Sequence, residues 1–316
     1  MSEKLRNSAK IALRDCLALK PGEKFIVITD EHKREIAQAF FEIGRKMGAE
    51  AVLMEMIPRQ IHGEEPPESV YRAWLVSDVF VCPTTKSLTH TRARENAVKA
   101  GARGATLPNV TKEMMNRCIS VDYRKMEERC NKLCDILTKG KMVHITTKIG
   151  TDLTFSLEGR KGEPDTGIYT APGSFGNLPA GEAYIAPLEE TAEGVFIVDG
   201  AMIGVMDKPI KIKVEKGFAT DISGGKEAKE LVELIGKVGP DARNIAEFGI
   251  GLNENAIFTG NVLEDEKIYN TIHIALGNNA HFGGVVDVPF HMDGIIKQPT
   301  VEIDGKLIIK EGVHLI

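Results

Sequence analysis

The sequence predicts two domains, an α/β domain with a doubly wound parallel sheet over residues 1–139 and an α+β, mainly antiparallel domain over residues 140–316. Three observations predict this division. The length of 316 residues suits two domains. Short apolar runs alternate with helical patterns through the first 120 residues, whereas shorter runs, frequent glycines and hairpin signals follow from about residue 140.

The first half repeats a strand followed by a helix. Residues 25–29 form an apolar run rich in β-branched side chains, directly after the Pro21-Gly22 stop, and Ile36 begins a stretch of apolar residues at 3–4 spacing. The same order continues with predicted strands at 51–56, 79–82 and 105–107 and predicted helices from about 67 and over 91–100. Strands that alternate with helices pair in parallel, which predicts the doubly wound sheet.

The second half is dominated by hairpin signals. Asp304-Gly305 separates two alternating runs, as a two-residue mirror-type turn does, and Lys216-Gly217 has the same character. One helix is predicted at 226–237, and a helix at 124–138 joins the two halves. These signals predict paired antiparallel strands with little helix.

Composition excludes several classes of protein. The net charge is −5, from 40 basic and 45 acidic residues without a Lys/Arg run, which argues against nucleic-acid binding. No stretch of 18 apolar residues occurs, so we expect no membrane segment and a cytoplasmic protein. The five cysteines form no CxxC pair and are expected to be reduced and buried. The dinucleotide and P-loop glycine motifs are both missing, which argues against a nucleotide cofactor.

Polar side chains follow the third predicted strand, where ligands bind in open α/β sheets. Thr85 lies just beyond the carboxyl end of this strand, and the segment Ser-Leu-Thr-His90-Thr-Arg-Ala-Arg94 comes next. A capped helix start explains the segment structurally. Its functional interpretation makes Thr85, His90 and Arg94 candidate substrate-binding residues.

The region from 273 to 293 has the composition of a metal site. His273, His281 and His291 lie within 19 residues. His291 and Asp293 are two positions apart and point to the same side of an extended strand, where they could bind one ion. With His273 they make the two-histidine, one-carboxylate set of non-haem iron, or part of a zinc or cobalt site. A salt-bridged His/Asp cluster is the structural alternative.

Two further acids stand in apolar surroundings. Glu247 lies within an apolar, glycine-bounded run, where a carboxylate is costly unless it is paired or bound to metal. Glu182 heads an apolar run after a Pro/Gly turn. Outward-facing positions on half-exposed strands are the alternative for both. The three acids at 264–266 are predicted to form the first turn of a short helix outside the site.

Taken together, the motifs NLPAGEAYIAP, HIALG and the C-terminal HxD resemble the thermophilic metalloprotease family, the aminopeptidases T and S, over about residues 145–316. The resemblance implies a homodimer and peptide or other small-molecule substrates. It also implies two divalent ions, zinc, cobalt or manganese, activating a water. The implied metal ligands are Glu182, Glu247, His273, His291 and Asp293. Glu247 and His281 are then the candidate catalytic residues, with His281 orienting a group or carrying a proton.

Two departures from that family keep other interpretations open. The aminopeptidases are longer, the gap from His273 to His291 is only 18 positions, and the family's tyrosine is missing from the segment that ends at His281. A dioxygenase that opens dihydroxypyridine rings is similar to this family and uses one iron held by two histidines and one aspartate. His273, His291 and Asp293 fit that chemistry equally well. A metal-dependent aminopeptidase is the first hypothesis, the single-iron dioxygenase the second, and a non-catalytic metal-site protein the third.

Overall fold

The computed structural model describes residues 2–316, which form two compact units. The first unit is the chain up to Lys125 together with Asp165–Ala180, and the second is Met126–Pro164 together with Gly181–Ile316. In the described part of the chain, no helix has the length and apolar character needed to cross a bilayer.

The helices and strands follow the chain in this order. The α-helices are α1 (Glu3–Ile11), α2 (Arg34–Lys46), α3 (Glu68–Leu75), α4 (Arg92–Lys99), α5 (Lys112–Cys118), α6 (Tyr123–Lys139), α7 (Lys226–Val238) and α8 (Val262–Asp265). The strands are β1 (Lys24–Asp30), β2 (Glu50–Met56), β3 (Val79–Thr84), β4 (Arg103–Pro108), β5 (Met142–Thr146), β6 (Asp152–Ser156), β7 (Glu163–Asp165), β8 (Phe175–Asn177), β9 (Glu182–Ile185), β10 (Glu193–Val198), β11 (Ala201–Met202), β12 (Gly204–Val205), β13 (Ile210–Glu215), β14 (Phe218–Ser223), β15 (Ile245–Gly251), β16 (Thr271–Gly277), β17 (His291–Lys297), β18 (Thr300–Ile303), β19 (Lys306–Lys310) and β20 (Val313–His314). Short π and 3₁₀ turns lie at Ala12–Cys16, Glu31–Lys33, Pro240–Arg243 and Ala280–Phe282.

The first unit is built on a five-stranded parallel sheet in the order β2-β1-β3-β4-β8. Ile26 of β1 and Phe80 of β3 lie in one core cluster with Trp74 of α3, whose ring meets Phe80 edge to face at 5.1 Å. Phe25 and Val27, which alternate with Ile26 and so face the other side, are equally buried. Both faces of the sheet are therefore covered, and the predicted doubly wound parallel sheet is confirmed.

The second unit is α+β and mainly antiparallel, as predicted. An eight-stranded sheet has the order β14-β13-β10-β6-β5-β18-β19-β20, and a five-stranded sheet has the order β17-β16-β15-β9-β7. Phe155 of β6 and Phe248 of β15 pack edge to face, with ring centroids 5.4 Å apart, and both are fully buried. Asp304 and Gly305 turn the β18–β19 hairpin with φ of 51° and 75°, the conformation of the expected mirror-type turn.

Candidate metal centre

One face of the five-stranded antiparallel sheet in the second unit carries acids and imidazoles instead of apolar side chains. Register places His273 of β16 opposite Gly249 of β15, and Asp293 and His291 of β17 opposite Ala275 and Gly277 of β16. Since alternate residues share a face, these positions all point the same way. The residues that alternate with them, such as Phe248 and Ile274, are fully buried apolar side chains.

Glu247 lies on this face because it is two positions from Gly249 in β15. The pairs Glu247–Ala275 and Gly249–His273 keep one antiparallel register, so Glu247 points to the same side as His273. A β-bulge lies on the other side of Glu247, where the register of β15 against β16 shifts between Ile245 and Glu247. Bulges are common next to functional sites.

Gly249 leaves room on the same face for the side chain of His273. A Cβ built on Gly249 would lie 1.9 Å from Nε2 of His273, far inside contact distance. Glycine at this position of β15 therefore leaves the space that the imidazole occupies. Its φ is not among the positive values of the chain, so close approach explains this glycine and turn geometry does not.

Five of the predicted site residues converge on this face. Nε2 of His273 lies 3.3 Å from Oε1 of Glu247 and 3.5 Å from Oε2 of Glu182. Nε2 of His291 lies 3.2 Å from Oε2 of Glu247 and 3.5 Å from Oδ1 of Asp293. Glu247 thus lies between the two imidazoles, one oxygen toward each.

A backbone contact fixes the orientation of His291. Its Nδ1 lies 2.8 Å from the carbonyl oxygen of Asn278, and because a carbonyl only accepts, Nδ1 carries the hydrogen and donates it. In the neutral ring Nε2 is then the unprotonated nitrogen, and it faces Glu247 and Asp293. A carbonyl in this position is typical of a metal-binding histidine.

Burial and neighbouring charges shift the pKa values of the histidines and of Glu247 in this cluster. Burial is the largest single effect on His273 and lowers its pKa, but the hydrogen bond with Glu247 and the charges of Glu182 and Asp293 outweigh it, so the pKa rises to about 9. Burial also opposes the charged form of His291, yet Asp293 and Glu247 raise its pKa well above the ordinary value. Burial raises the pKa of Glu247, but the two histidines prevail and lower it to about 2. The surrounding carboxylates therefore favour the positively charged form of both imidazoles.

The donor set fits a metal ion. Two groups have ligand atoms that all lie within 4.8 Å of one another, namely Glu182, Glu247 and His273, and Glu247, His291 and Asp293. Ligands about 2.1 Å from one ion and at right angles lie about 3 Å apart, close to the nitrogen–oxygen distances of 3.2–3.5 Å found here. Imidazole nitrogens with carboxylate oxygens suit iron, zinc, cobalt and manganese.

Two residues that no sequence pattern indicated, Lys267 and Glu266, also belong to this cluster. Nζ of Lys267 lies 2.9 Å from Oε1 of Glu182 and also donates to Glu266. The sequence predicts that the acids at 264–266 form the first turn of a short helix outside the site. The short helix α8 does form there, but Glu264 and Asp265 are buried, and Lys267 is only 1% exposed. Lysine is almost never fully buried, so composition offered no signal for it.

The remaining candidate residues lie on a turn of the second unit and in the first unit. His281 is exposed on the 3₁₀ turn Ala280–Phe282. In the first unit, Oγ1 of Thr85 donates to Asp30 at 2.9 Å, His90 is exposed in the turn before α4, and Nε of Arg94 donates to the carbonyl of Thr89 at 2.7 Å. Their role in substrate binding stays a prediction.

Comparison with known proteins decides the family. The family model described as NicX: 2,5-dihydroxypyridine 5,6-dioxygenase matches residues 4–315. The chain belongs to this family. The 2,5-dihydroxypyridine 5,6-dioxygenase of Pseudomonas putida KT2440 is 26% identical over 259 residues, which cover 76% of this chain and 72% of the relative.

Solved structures share the fold. A structure of 2,5-dihydroxypyridine dioxygenase from Pseudomonas putida KT2440 superposes with a TM-score of 0.84 at 21% identity, over 98% of this chain and 96% of the other. Wild-type AmpT from Thermus thermophilus superposes with a TM-score of 0.74 at 16% identity, over 99% of each chain. The resemblance to the aminopeptidases is thus a resemblance of fold.

The expectation of a peptide-hydrolysing aminopeptidase is wrong. The family model and the curated relative both name a dioxygenase, so the protein is an enzyme of a dioxygenase family and the second hypothesis replaces the first. The error has a physical origin, because histidines and carboxylates in this order serve hydrolytic and oxidative metal chemistry alike. The family implies a metal cofactor, and the cluster on the five-stranded antiparallel sheet of the second unit contains residues that can bind a metal ion.

Proposed function

We propose that this protein is an iron-dependent dioxygenase that opens a dihydroxylated pyridine ring, with 2,5-dihydroxypyridine as the first substrate to test. The observation that carries the proposal is the cluster of His273, His291 and Asp293, of which His273 and Asp293 are buried, in a chain whose residues 4–315 match the ring-cleaving family. The distances on this sheet face support one shared site for imidazole and carboxylate ligands.

Each residue of the cluster has a distinct part. His273, His291 and Asp293 would hold the ion, and the Nε2 atoms of both histidines face Glu247. Iron(II) held by such a set would supply the electron transfer that O2 chemistry requires. Glu247 adds a negative charge beside both imidazoles, and the carbonyl of Asn278 holds His291 in the tautomer that leaves Nε2 free to bind a metal.

Two aromatic side chains beside the cluster suit a flat, ring-shaped substrate. Phe282 meets His291 edge to face with centroids 6.0 Å apart, and Tyr184 meets Phe282 in the same way at 5.7 Å. Both aromatic residues are half-buried. Aromatic rings bind other rings through offset or edge contacts, so Phe282 and Tyr184 orient the substrate next to the ion.

The test is turnover of 2,5-dihydroxypyridine by the full chain reloaded with iron(II) after chelation. We expect O2 uptake equal to the amount of ring consumed, no turnover without O2, and no turnover by the zinc-loaded protein. His291→Ala should abolish turnover, whereas His144→Ala, which removes an exposed histidine paired with Asp152, should retain it. Iron-loaded, folded protein that consumes neither O2 nor the ring would contradict the proposal.

A further inference from the structure

We infer that Glu189 is a positioning residue, which holds the loop of residues 279–286 where Phe282 orients an aromatic substrate beside His291. The inference rests on the proposed function for the identity of that substrate, whereas the contacts that hold the loop do not depend on it. This loop lies between β16 and β17 and contains the 3₁₀ turn Ala280–Phe282.

Asn279 closes the loop on itself. This residue is fully buried, its backbone amide donates to the carbonyl of Val286 at 3.0 Å, and its side-chain oxygen accepts from the amide of Val286 at 2.9 Å. The carbonyl of Asn279 accepts from the amide of Gly284, also at 2.9 Å. A Cβ on Gly284 would lie 1.9 Å from Cγ of Asn279, so only glycine fits where the loop passes this side chain. The loop is therefore folded around one buried amide group.

Glu189 attaches the loop to the rest of the second unit. Its Oε1 accepts from the side-chain amide of Asn279 at 3.0 Å and from the backbone amide of Val285 at 2.9 Å. Its Oε2 pairs with the guanidinium of Arg160, which is only 11% exposed. Burial raises the pKa of Glu189, but the hydrogen bonds from Val285 and Asn279 and the charge of Arg160 outweigh it and lower the pKa. The carboxylate is therefore charged, and a charged acceptor forms stronger hydrogen bonds than a neutral one.

The backbone beside Glu189 is tied to the eight-stranded sheet. The amide of Leu188 donates to the carbonyl of Ser156, the last residue of β6, at 2.8 Å. Oγ1 of Thr191 accepts from the amide of Ser156 at 3.1 Å and donates to the carbonyl of Leu188 at 2.6 Å. Glu189 thus has a fixed position on this sheet, and the loop is fixed to Glu189.

The loop places Phe282 against the candidate metal centre, while His291 is held separately. The ring of Phe282 meets the imidazole of His291 edge to face at 6.0 Å. The carbonyl that fixes His291 belongs to Asn278, which precedes the loop. The amide of Asn278 donates to the carbonyl of Phe290 at 2.7 Å, and its side chain donates to Asp287 at 2.9 Å. Loss of the contact with Glu189 is therefore expected to displace Phe282 and the substrate ring and to leave His291 in place.

Exchange of the donor and the acceptor across the 3.0 Å contact tests the inference. In Asn279→Asp two carboxylates face each other, so the loop is expected to detach. In Asn279→Asp/Glu189→Gln the amide of the glutamine donates to the new carboxylate, which restores the contact with its direction reversed. Glu190→Gln is the matched control, because it removes the same charge from the exposed neighbouring position.

Two measurements are made on the full iron-loaded chain without O2. Hydrogen–deuterium exchange with mass spectrometry follows the amides of residues 279–286, and calorimetry measures the Kd of 2,5-dihydroxypyridine. We expect Asn279→Asp to exchange about tenfold faster or more in this loop. It should also bind the ring about fivefold more weakly or worse, since an aromatic contact is lost, and retain its iron. The double variant should regain most of both losses, and Glu190→Gln should match the wild type.

Folded Asn279→Asp with wild-type exchange or wild-type ring affinity would overturn the inference, and so would a double variant as impaired as the single one. If Asn279→Asp does not fold, Glu189→Gln takes its place and must exchange faster and bind the ring more weakly than Glu190→Gln. Equality of these two variants, or failure of Glu189→Gln to fold, would overturn the inference as well. A wild type that binds the ring without O2 but does not consume it with O2 would refute only the proposed function, whereas a wild type that does not bind the ring overturns both.

Discussion

Gly249→Ala tests whether the sheet face is shaped for His273. The added methyl carbon would lie 1.9 Å from Nε2 and 2.2 Å from Cε1 of the imidazole, so the ring must move by about 1.5 Å to reach a 3.4 Å contact. Metal–ligand distances tolerate only about 0.2 Å. The imidazole is fully buried and already lies 3.3 Å from Glu247 and 3.5 Å from Glu182, so a shift of this size breaks its contacts with both carboxylates.

The expected effect is therefore much larger on metal binding than on stability. We expect metal affinity to fall by about 100-fold or more, since a displaced ligand costs at least as much as a lost ligand partner. Overpacking costs about 1–3 kcal/mol, and replacing a flexible glycine regains about 0.4–1 kcal/mol, because the φ of Gly249 is one that alanine can adopt. The free energy of unfolding of the metal-free protein should thus fall by about 1–2 kcal/mol.

The assay compares metal content after dialysis with the urea denaturation of the metal-free protein. Gly236→Ala is the matched control, because a Cβ there meets no atom within 4 Å and the residue lies inside α7. This control should bind metal normally and gain up to about 1 kcal/mol of stability. Gly249→Ala with wild-type metal affinity would refute the reasoning.

Three other predictions concern charge and metal. Asp293→Asn should remove bound iron and ring cleavage while leaving the far-ultraviolet circular dichroism unchanged, and retained iron would count against Asp293 as a ligand. Chelation should lower the melting temperature, and iron at 100 times its Kd should restore about 2.7 kcal/mol of stability, which calorimetry measures. Burial, and next the charge of Arg129, lowers the pKa of His314 to about 4, so its stabilising effect is present above pH 6.5 and is lost as the pH falls toward 4. His314→Phe, which keeps the stack on Tyr269, should reduce the acid sensitivity of urea denaturation by up to about 3 kcal/mol, and an unchanged pH profile would exclude this role.

The periodic parts of the sequence predicted the fold well. Alternating strands and helices gave the parallel sheet, and the helix expected at 226–237 is Lys226–Val238. The fifth parallel strand, Phe175–Asn177, escaped prediction because three residues are too short to show a period. It pairs with β4, and only tertiary contact reveals that pairing.

The site was predictable as far as local chemistry extends. Glu247 stands in an apolar run where an acid is costly, but its position beside His273 depends on the pairing of β15 with β16. Lys267 could not have been predicted. It is buried where the backbone of its segment passes over Gly251 of β15, and such tertiary packing leaves no pattern in the sequence. The choice between hydrolase and dioxygenase lay beyond the ligand residues, since both chemistries use them.

The most direct test of the central claim is isotopic. The iron-loaded protein is incubated with 2,5-dihydroxypyridine under ¹⁸O₂, and the mass of the ring-opened product is measured by mass spectrometry. A dioxygenase predicts two heavy oxygen atoms in each product molecule. Product without heavy oxygen, or substrate returned intact by protein that retains iron at His273, His291 and Asp293, would contradict the account.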